Sequence, residues 1–410
     1  MTAQADRIAV LGAGIMGCCL ALYLARTGRR VVLFDRERAP MQAASRWNEG
    51  KLHLGYLYAN DPTLLTARHV LPGSYAFVPC MEELLCCDLR EEVSATDDLF
   101  LVHRASVVDP HAARSYFERV TSLLRDVPGC EHYPADLRNA RLRPATRSCL
   151  ERVADPDQVV AGFYVPERSI RTVWVADRLT EAVAAEPRIE LAMGRRISAA
   201  APVENDDGPW RVWWDDGDGN EPSSEAFDLV VNALWQNRAR IDETAGLSPA
   251  SDSSNRFRAS LFVRTAKPVD AGCAIVCVGP FGDMKNYNNT DFYLSWYPTG
   301  LLQYTTLPSP TVEQSITTAI AAQVIEGVRK NLAALIPAAG RTLDEAAEIK
   351  VAGGWVYAQA SGSLADTRAS LHRRDRFGAI RKGSYVAFDT GKYCTAPSMA
   401  MEFTRVLTGD

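Results

Sequence analysis

Lys51 and His53 stand two residues apart in the stretch WNEGKLHLGY, residues 47–56, between Gly50 and Gly55. Both side chains can carry a positive charge. A fixed cation in a water-poor site stabilises negative charge that develops during a reaction far more than it does in bulk water. A lysine can also hold a carboxylate. An imidazole that titrates near neutrality can take a proton from an alcohol or an ammonium group. A second lysine, Lys392, adjoins Gly391 near the C-terminus, in FDTGKYCTAPSM. Residue types alone leave these roles open, and the elements that position them must decide.

The first such element is a strand–helix–strand unit. Arg7 to Leu11 (RIAVL) is a short apolar run of strand type. It leads into Gly12-Ala13-Gly14-Ile15-Met16-Gly17, a G-x-G-x-x-G, and then into CCLALYLARTG. The apolar residues there recur at helical spacing up to Gly28, a natural stop. Val31 to Phe34 is a second strand and ends on Asp35. This context turns a weak pattern into a dinucleotide-binding fingerprint. Gly12 permits the tight turn, Gly14 lets the backbone approach a pyrophosphate, and Gly17 lets the helix pack close to the sheet. The helix N-terminus, with Ile15 and Met16 in its first turn, offers N–H groups and partial positive charge to phosphates. Asp35 can accept hydrogen bonds from ribose hydroxyls, with Arg36 beside it. The unit alone does not separate FAD from NAD. GAGIMG is also similar to the start of NAD-dependent 3-hydroxyacyl-CoA and 3-hydroxyisobutyrate dehydrogenases.

The continuation discriminates. RERAPMQAASRWNEGKLHLGYLYANDPTLL is neither a clean strand nor a clean helix, and it carries Ser45, Asn48, Gly50, His53 and Gly55 in the spacing S-x-x-N-x-G-x-x-H-x-G. Phe227 to Ala233 (FDLVVNA) reads as a strand running into an Asn232-Ala233 turn. Tyr385 to Met399 reads as a last strand, a glycine turn and a helix start, with Gly391, Thr395 and Pro397 in order. On these landmarks the chain resembles the D-amino-acid oxidase superfamily of FAD-dependent oxidoreductases. Its Asn-x-Gly-x-x-His-x-Gly stretch is similar to that of L-2-hydroxyglutarate oxidases. It departs from the family after Ala233, where glycine is common and this chain has LWQN.

The resemblance implies an α/β (α+β) fold: a discontinuous FAD-binding Rossmann-type domain with an inserted β-rich substrate domain. It assigns residues 1–75, 146–249 and 346–410 to the first and residues 76–145 and 250–345 to the second. It implies FAD, held without a covalent bond by Gly12, Gly14, Ile15, Met16, Gly17, Asp35, Arg36, Ser45, Asn48, Gly50, Lys51, Asn232, Ala233, Gly391, Lys392, Tyr393 and Thr395. His53 and Cys394 are the positions open to covalent attachment. Lys51, His53 and Lys392 are the catalytic candidates. The activity implied is hydride transfer from a small polar substrate, an amine or amino acid, to flavin N5, giving an imine or carbonyl product. Dioxygen or another carrier then accepts the electrons. A 2-hydroxy acid is the closest alternative substrate. An NAD-dependent dehydrogenase requires a helical C-terminal half, and a non-enzymatic flavin scaffold requires a flavin that no such substrate reduces.

On the substrate side, Gly279 to Gly300 (GPFGDMKNYNNTDFYLSWYPTG) combines aromatic and amide residues. Tyr287, Tyr293, Trp296 and Tyr297 are the candidates there, since such side chains offer apolar area with a polar tip. Strand alternation puts Tyr293, Ser295 and Tyr297 on one face and Phe292, Leu294 and Trp296 on the other. A sheet solvated on one side gives the same pattern. Arg256, Arg258 and Arg264 can hold a carboxylate, although isolated arginines are usually solvated. His372 and Arg373, in LHRRDRFGAIRKG, read as a basic surface turn or as groups reaching the site. Elsewhere the periodicity predicts helices over Ser169–Ala184 and Val312–Leu335. It predicts strands at RIELA, RRISA, PWRVWW, ASLFVR, CAIVCV, FYLSWY and LLQYTT.

Composition excludes other classes. The 410 residues are 47% apolar, ample for a core, and the net charge of −5 comes without a basic block, so no nucleic-acid partner is expected. Ten cysteines show no Cys-x-x-Cys pairing and no histidines at zinc-ligand spacing, which predicts free thiols in a reducing compartment and no metal. No basic leader precedes the first apolar run, and no 18-residue apolar stretch occurs, so a cytoplasmic protein without a membrane span is expected. Nothing in the sequence sets an oligomeric state.

Overall fold

The computed structural model describes residues 7–217 and 221–409. At its centre is a six-stranded sheet in the order Gly378–Lys382, Tyr385–Asp389, Leu229–Asn232, Arg7–Leu11, Arg30–Asp35, Ile189–Met193. All are parallel except the first, an antiparallel edge. β1 (Arg7–Leu11), α1 (Ile15–Arg26) and β2 (Arg30–Asp35) form the expected unit. These strands are buried on both faces. Ile8, Val10, Val31 and Leu33 join the core that contains α1, whereas Ala9, Leu11, Val32 and Phe34 join the core around Trp210 and Trp214. That double burial is why they read as unbroken apolar runs. α1 is buried from Ile15 to Ala25, packed against helices Thr172–Ala185 and Ala396–Thr408.

The outer face of this sheet is covered by a three-stranded meander, Arg196–Pro202, Trp210–Asp215 and Ser223–Phe227. Part of the turn expected after PWRVWW, at 218–220, lies outside the described residues. The second large element is a nine-stranded mixed sheet built around Ser254–Thr265, which pairs with Ala346–Ala358 on one side and with Asp291–Trp296 and Leu301–Thr305 on the other. One face packs Leu261, Val263, Phe292 and Leu294 against Val324, Val328 and Leu332 of the helices above it. The NAD-dehydrogenase reading required a helical second half, and this sheet stands in its place.

The chain is divided differently from the expectation at two places. Val159–Val165 pairs with Asp98–His103, and Ala346–Ala358 pairs along Ser254–Thr265, so both belong to the nine-stranded sheet. Strand pairing joins residues far apart in sequence, and local composition does not reveal it. The helix predicted from Ser169 starts at Thr172, because Ser169 is instead paired with Lys51 in a two-residue ladder. The run predicted from Val312 becomes helical at Thr318, where the Thr317 hydroxyl accepts from the Ile320 N–H and caps the end.

No helix among the described residues is long and apolar enough to cross a membrane. Among the described residues no cluster of three or more His, Cys, Asp or Glu could hold a metal ion. Inside the large sheet Lys285 is ion-paired with Asp98, both fully buried. Burial works against the ammonium, yet the Asp98 carboxylate holds its pKa above the usual lysine range. Breaking such a pair strands a charge in the interior. Asp98→Asn is therefore expected to cost about 3 kcal/mol of folding free energy, read as a lower midpoint in urea unfolding.

Candidate active site

Four loops leave the C-terminal ends of the parallel strands side by side: residues 12–17, 36–50, 233–237 and 390–395. Ligands of open parallel sheets bind at such ends. A continuous cavity begins at Gly12, Gly14, Ile15, Met16, Asp35 and Arg36. It passes Ala43, Ser45 and Asn48 and reaches Lys51, His53 and Tyr58. Arg256, Arg258, Tyr297 and Trp355 of the nine-stranded sheet close it from the other side, and Ala233, Arg374, Gly391, Lys392 and Tyr393 complete that end.

The first end fits a dinucleotide. Gly14 gives α1 no side-chain cap, and no acidic residue occupies its first turn. A Cβ on Gly14 would stand 2.9 Å from the Ser45 hydroxyl, which itself accepts from the Ile15 N–H at 3.0 Å. Asp35 accepts from the Ala13 N–H at 2.7 Å and the Glu37 N–H at 2.9 Å, so its carboxylate is fixed at the cavity edge. Burial raises its pKa, opposed by those two backbone bonds. Arg36 lies between Glu37 and Glu313. The loop itself is braced: Asn48 accepts from the Gly50 N–H and donates to the Ala44 and Ser45 carbonyls.

The other end carries the charge. Lys51 is 2% exposed, with Nζ 4.0 Å from an Asp283 carboxylate oxygen. His53 is 3% exposed, and its Nδ1 has no hydrogen-bond partner. Burial, then the charges of Lys392, Lys51, Lys285 and Arg374, push the His53 pKa well below the usual histidine range. Burial and the neighbouring cations thus both disfavour the charged imidazole. Lys392 lies over the Tyr58 ring, 5.3 Å from its centroid. Burial and the Arg374 guanidinium lower its pKa to about 7, opposed by Glu49. Below this end, Glu167 is fully buried and accepts from the Leu54 N–H at 2.6 Å, while its other oxygen is unpartnered. Burial raises its pKa to about 7, with Lys51 opposing and Asp98 adding to the rise.

Several candidates support the cavity from behind its wall. Gly17 and Gly50 shape the backbone, and a Cβ on either would collide with a carbonyl oxygen. Asn232 donates to Asp242, to the Tyr385 hydroxyl and to the Arg238 carbonyl, which holds the end of its strand. The Thr395 hydroxyl closes the 390–395 turn onto the Thr390 and Lys392 carbonyls. Of the four substrate candidates, Tyr297 lines the cavity. Tyr293 is bonded to Ser260 at 2.8 Å, Tyr287 donates to the Glu49 carbonyl at 3.0 Å, and Trp296 packs toward Phe281, which itself lines the cavity. The strand ends at Trp296, and Tyr297 opens the short helix Tyr297–Gly300, so strand alternation does not place it.

Arg256 and Arg258 reach the cavity, whereas Arg264 is exposed and paired with Asp291. In the basic stretch, His372 and Arg374 are buried and line the cavity, while Arg373 between them turns out to Asp375. Sequence reasoning passed over Arg374, Glu49, Asp283 and Glu167. No strand alternation marked Arg374, because His372 closes the 3-10 turn Ser370–His372. For the others no local pattern existed.

A sequence model described as FAD dependent oxidoreductase matches residues 7–391. Glycine oxidase from Geobacillus kaustophilus has the same fold, with TM-score 0.67 and 15% identity over 99% of this chain and 95% of that one. L-proline dehydrogenase from P. horikoshii gives TM-score 0.65 at 14% identity, over 99% and 94%. L-alpha-glycerophosphate oxidase from Mycoplasma pneumoniae, solved with FAD bound, gives 0.60 at 15%, over 98% and 94%.

Proposed function

The chain belongs to the D-amino-acid oxidase family of FAD-dependent oxidoreductases, and from that premise we propose that it oxidises a small amine or amino acid at the carbon bearing nitrogen. FAD, when bound, supplies the hydride acceptor at flavin N5. The observation that carries the reading is Lys392, a lysine in the cavity whose pKa is lowered to about 7. Such a group can take the ammonium proton of a substrate near neutral pH, which frees the nitrogen lone pair that an imine needs. Lys51, buried beside Asp283 in the cavity wall, would stabilise the negative charge of a reduced flavin bound there. The nine-stranded sheet and the 390–395 turn wall this end. The imine hydrolyses to a carbonyl compound, and dioxygen or another carrier removes the electrons.

Non-covalent attachment fits the chain. Cys394 is fully buried outside the cavity lining, in contact with the Ser74 hydroxyl, and its pKa is raised by burial. All ten cysteines are free, in keeping with a cytoplasmic location. A second reading has one observation in its favour. Neutral His53, with an unpartnered Nδ1, can accept the hydroxyl proton of a 2-hydroxy acid. Anaerobic mixing of the holoenzyme with amines, with both enantiomers of amino acids and with 2-hydroxy acids separates the two. The amine reading expects the flavin absorbance to bleach with an amine or amino acid. Bleaching with 2-hydroxy acids alone transfers the assignment to His53.

A further inference from the structure

Three arginines face the substrate end of the cavity: Arg256, Arg258 and Arg374. Arg256 and Arg258 are two apart on the strand Ser254–Thr265, hence on one face, with Tyr297 next to both. The Arg258 guanidinium lies 4.7 Å from the centre of the Tyr297 ring. Two carboxylates stand at this end, Glu49 and Asp283. Lys51, Arg258 and Lys392 hold the Glu49 pKa below its usual value despite burial, and Asp283 is paired with Lys51. Asp283 is thus ion-paired with Lys51, and Glu49 lies in the field of Lys51, Arg258 and Lys392.

Arg256 and Arg374 are left. Arg256 is 5% exposed, and its Nε has no partner. Arg374 is buried, and its guanidinium donates to the Tyr357 and Gly391 carbonyls, at 2.7 and 3.1 Å. Among the described residues neither has a carboxylate partner, and the two charges act on each other. A buried charge without a counter-charge is strongly unfavourable. Two of them opening into the end of the cavity away from Gly14 favour a ligand that brings two negative charges to that end. A substrate with a single carboxylate supplies one.

We infer that the substrate carries two carboxylates, one to meet each of Arg256 and Arg374. The inference rests on the oxidation site assigned above and narrows its substrate class. Guanidinium groups suit this task, because their planar fork binds a carboxylate in two places and they stay charged through the pH range in which Lys392 titrates.

The test uses the FAD-loaded protein and unreactive probes, read by perturbation of the visible flavin spectrum. Unbranched dicarboxylates from malonate to adipate are titrated against the monoamide of each. At the best length the diacid is expected to bind at least about 30-fold more tightly than its monoamide. In Arg256→Gln that gap is expected to shrink below threefold, and in Arg256→Lys to stay intermediate. Should Arg256→Gln not fold or not hold FAD, the wild-type comparison decides by itself. Equal Kd for diacid and monoamide at every length overturns the inference. So does a preference for methyl phosphate over all the diacids, which would assign the two charges to one phosphate group. A diacid gap without bleaching by any amine keeps the inference and defeats the amine reading. Bleaching by an amine without a diacid gap does the reverse.

Discussion

Lys392→Met is expected to leave FAD bound and to slow anaerobic flavin reduction by about a thousandfold, within the range that a positioned general base contributes. The side chain sits at the end of the cavity away from Gly12 and Gly14, so the dinucleotide cradle is untouched. Burial and the neighbouring Arg374 bring its pKa down to about 7 from the ordinary 10.5. The neutral amine, which accepts the substrate proton, therefore gains population as pH rises through 7. In the wild-type enzyme kcat/KM for flavin reduction should climb across that range, and in Lys392→Met this limb should vanish. Retention of the limb in the variant would assign the titration to another group and remove Lys392 from proton transfer. The same shift has a consequence for stability. Between about pH 7 and 10.5 the unfolded chain binds a proton that folded Lys392 has released. Folding gains from this group as pH rises through that window, and Lys392→Met should flatten the gain. A purely structural role for Lys392 would change the stability curve without changing the kinetic limb.

Gly17→Ala is expected to yield a protein that purifies without the yellow cofactor. The added Cβ would be driven into the Gly12 carbonyl oxygen, with the Val10 side chain 3.4 Å behind. The carbonyl cannot retreat. Gly12 is tied by its N–H to the Phe34 carbonyl at 2.8 Å, and its own Cβ position is filled by the Ala233 backbone. The helix must therefore lift from β1, which opens the turn that Gly14 and Ser45 shape. Overpacking of this kind costs about 3 kcal/mol, enough to weaken FAD about a hundredfold if the strain falls on the bound state. Reconstitution titrated by flavin fluorescence gives the number. FAD binding at wild-type affinity would show that α1 can shift without loss of the cradle.

How much of this was legible in the sequence follows from the range of each interaction. The unit from β1 to Asp35 was readable because its parts are covalent neighbours. Glycine at 12, 14 and 17 is dictated by contacts within one turn and the strands beside it, and an acid at the end of β2 reaches that turn directly. The loop spacing from Ser45 to Gly55, the turn after Leu229–Asn232 and the turn at Gly391 were readable for the same reason. Each is a local backbone device with its own residue types, and together they fixed the fold and the cofactor class. The pairing of Ala346–Ala358 with Ser254–Thr265 was not readable, because a strand's partner is chosen by tertiary packing. Nor was the charge of the site. Lys51 and His53 look alike as cation-capable residues, yet Lys51 gains Asp283 as a partner, while Lys392, Lys285 and Arg374 converge on His53 from positions more than 200 residues away and disfavour its charged form. Arg256 and Arg264 are equally basic in sequence, but Asp291 waits for Arg264, while among the described residues Arg256 faces the cavity without a carboxylate partner. Backbone geometry is written in short-range residue types, whereas protonation and pairing depend on burial and on neighbours that only the folded chain brings together.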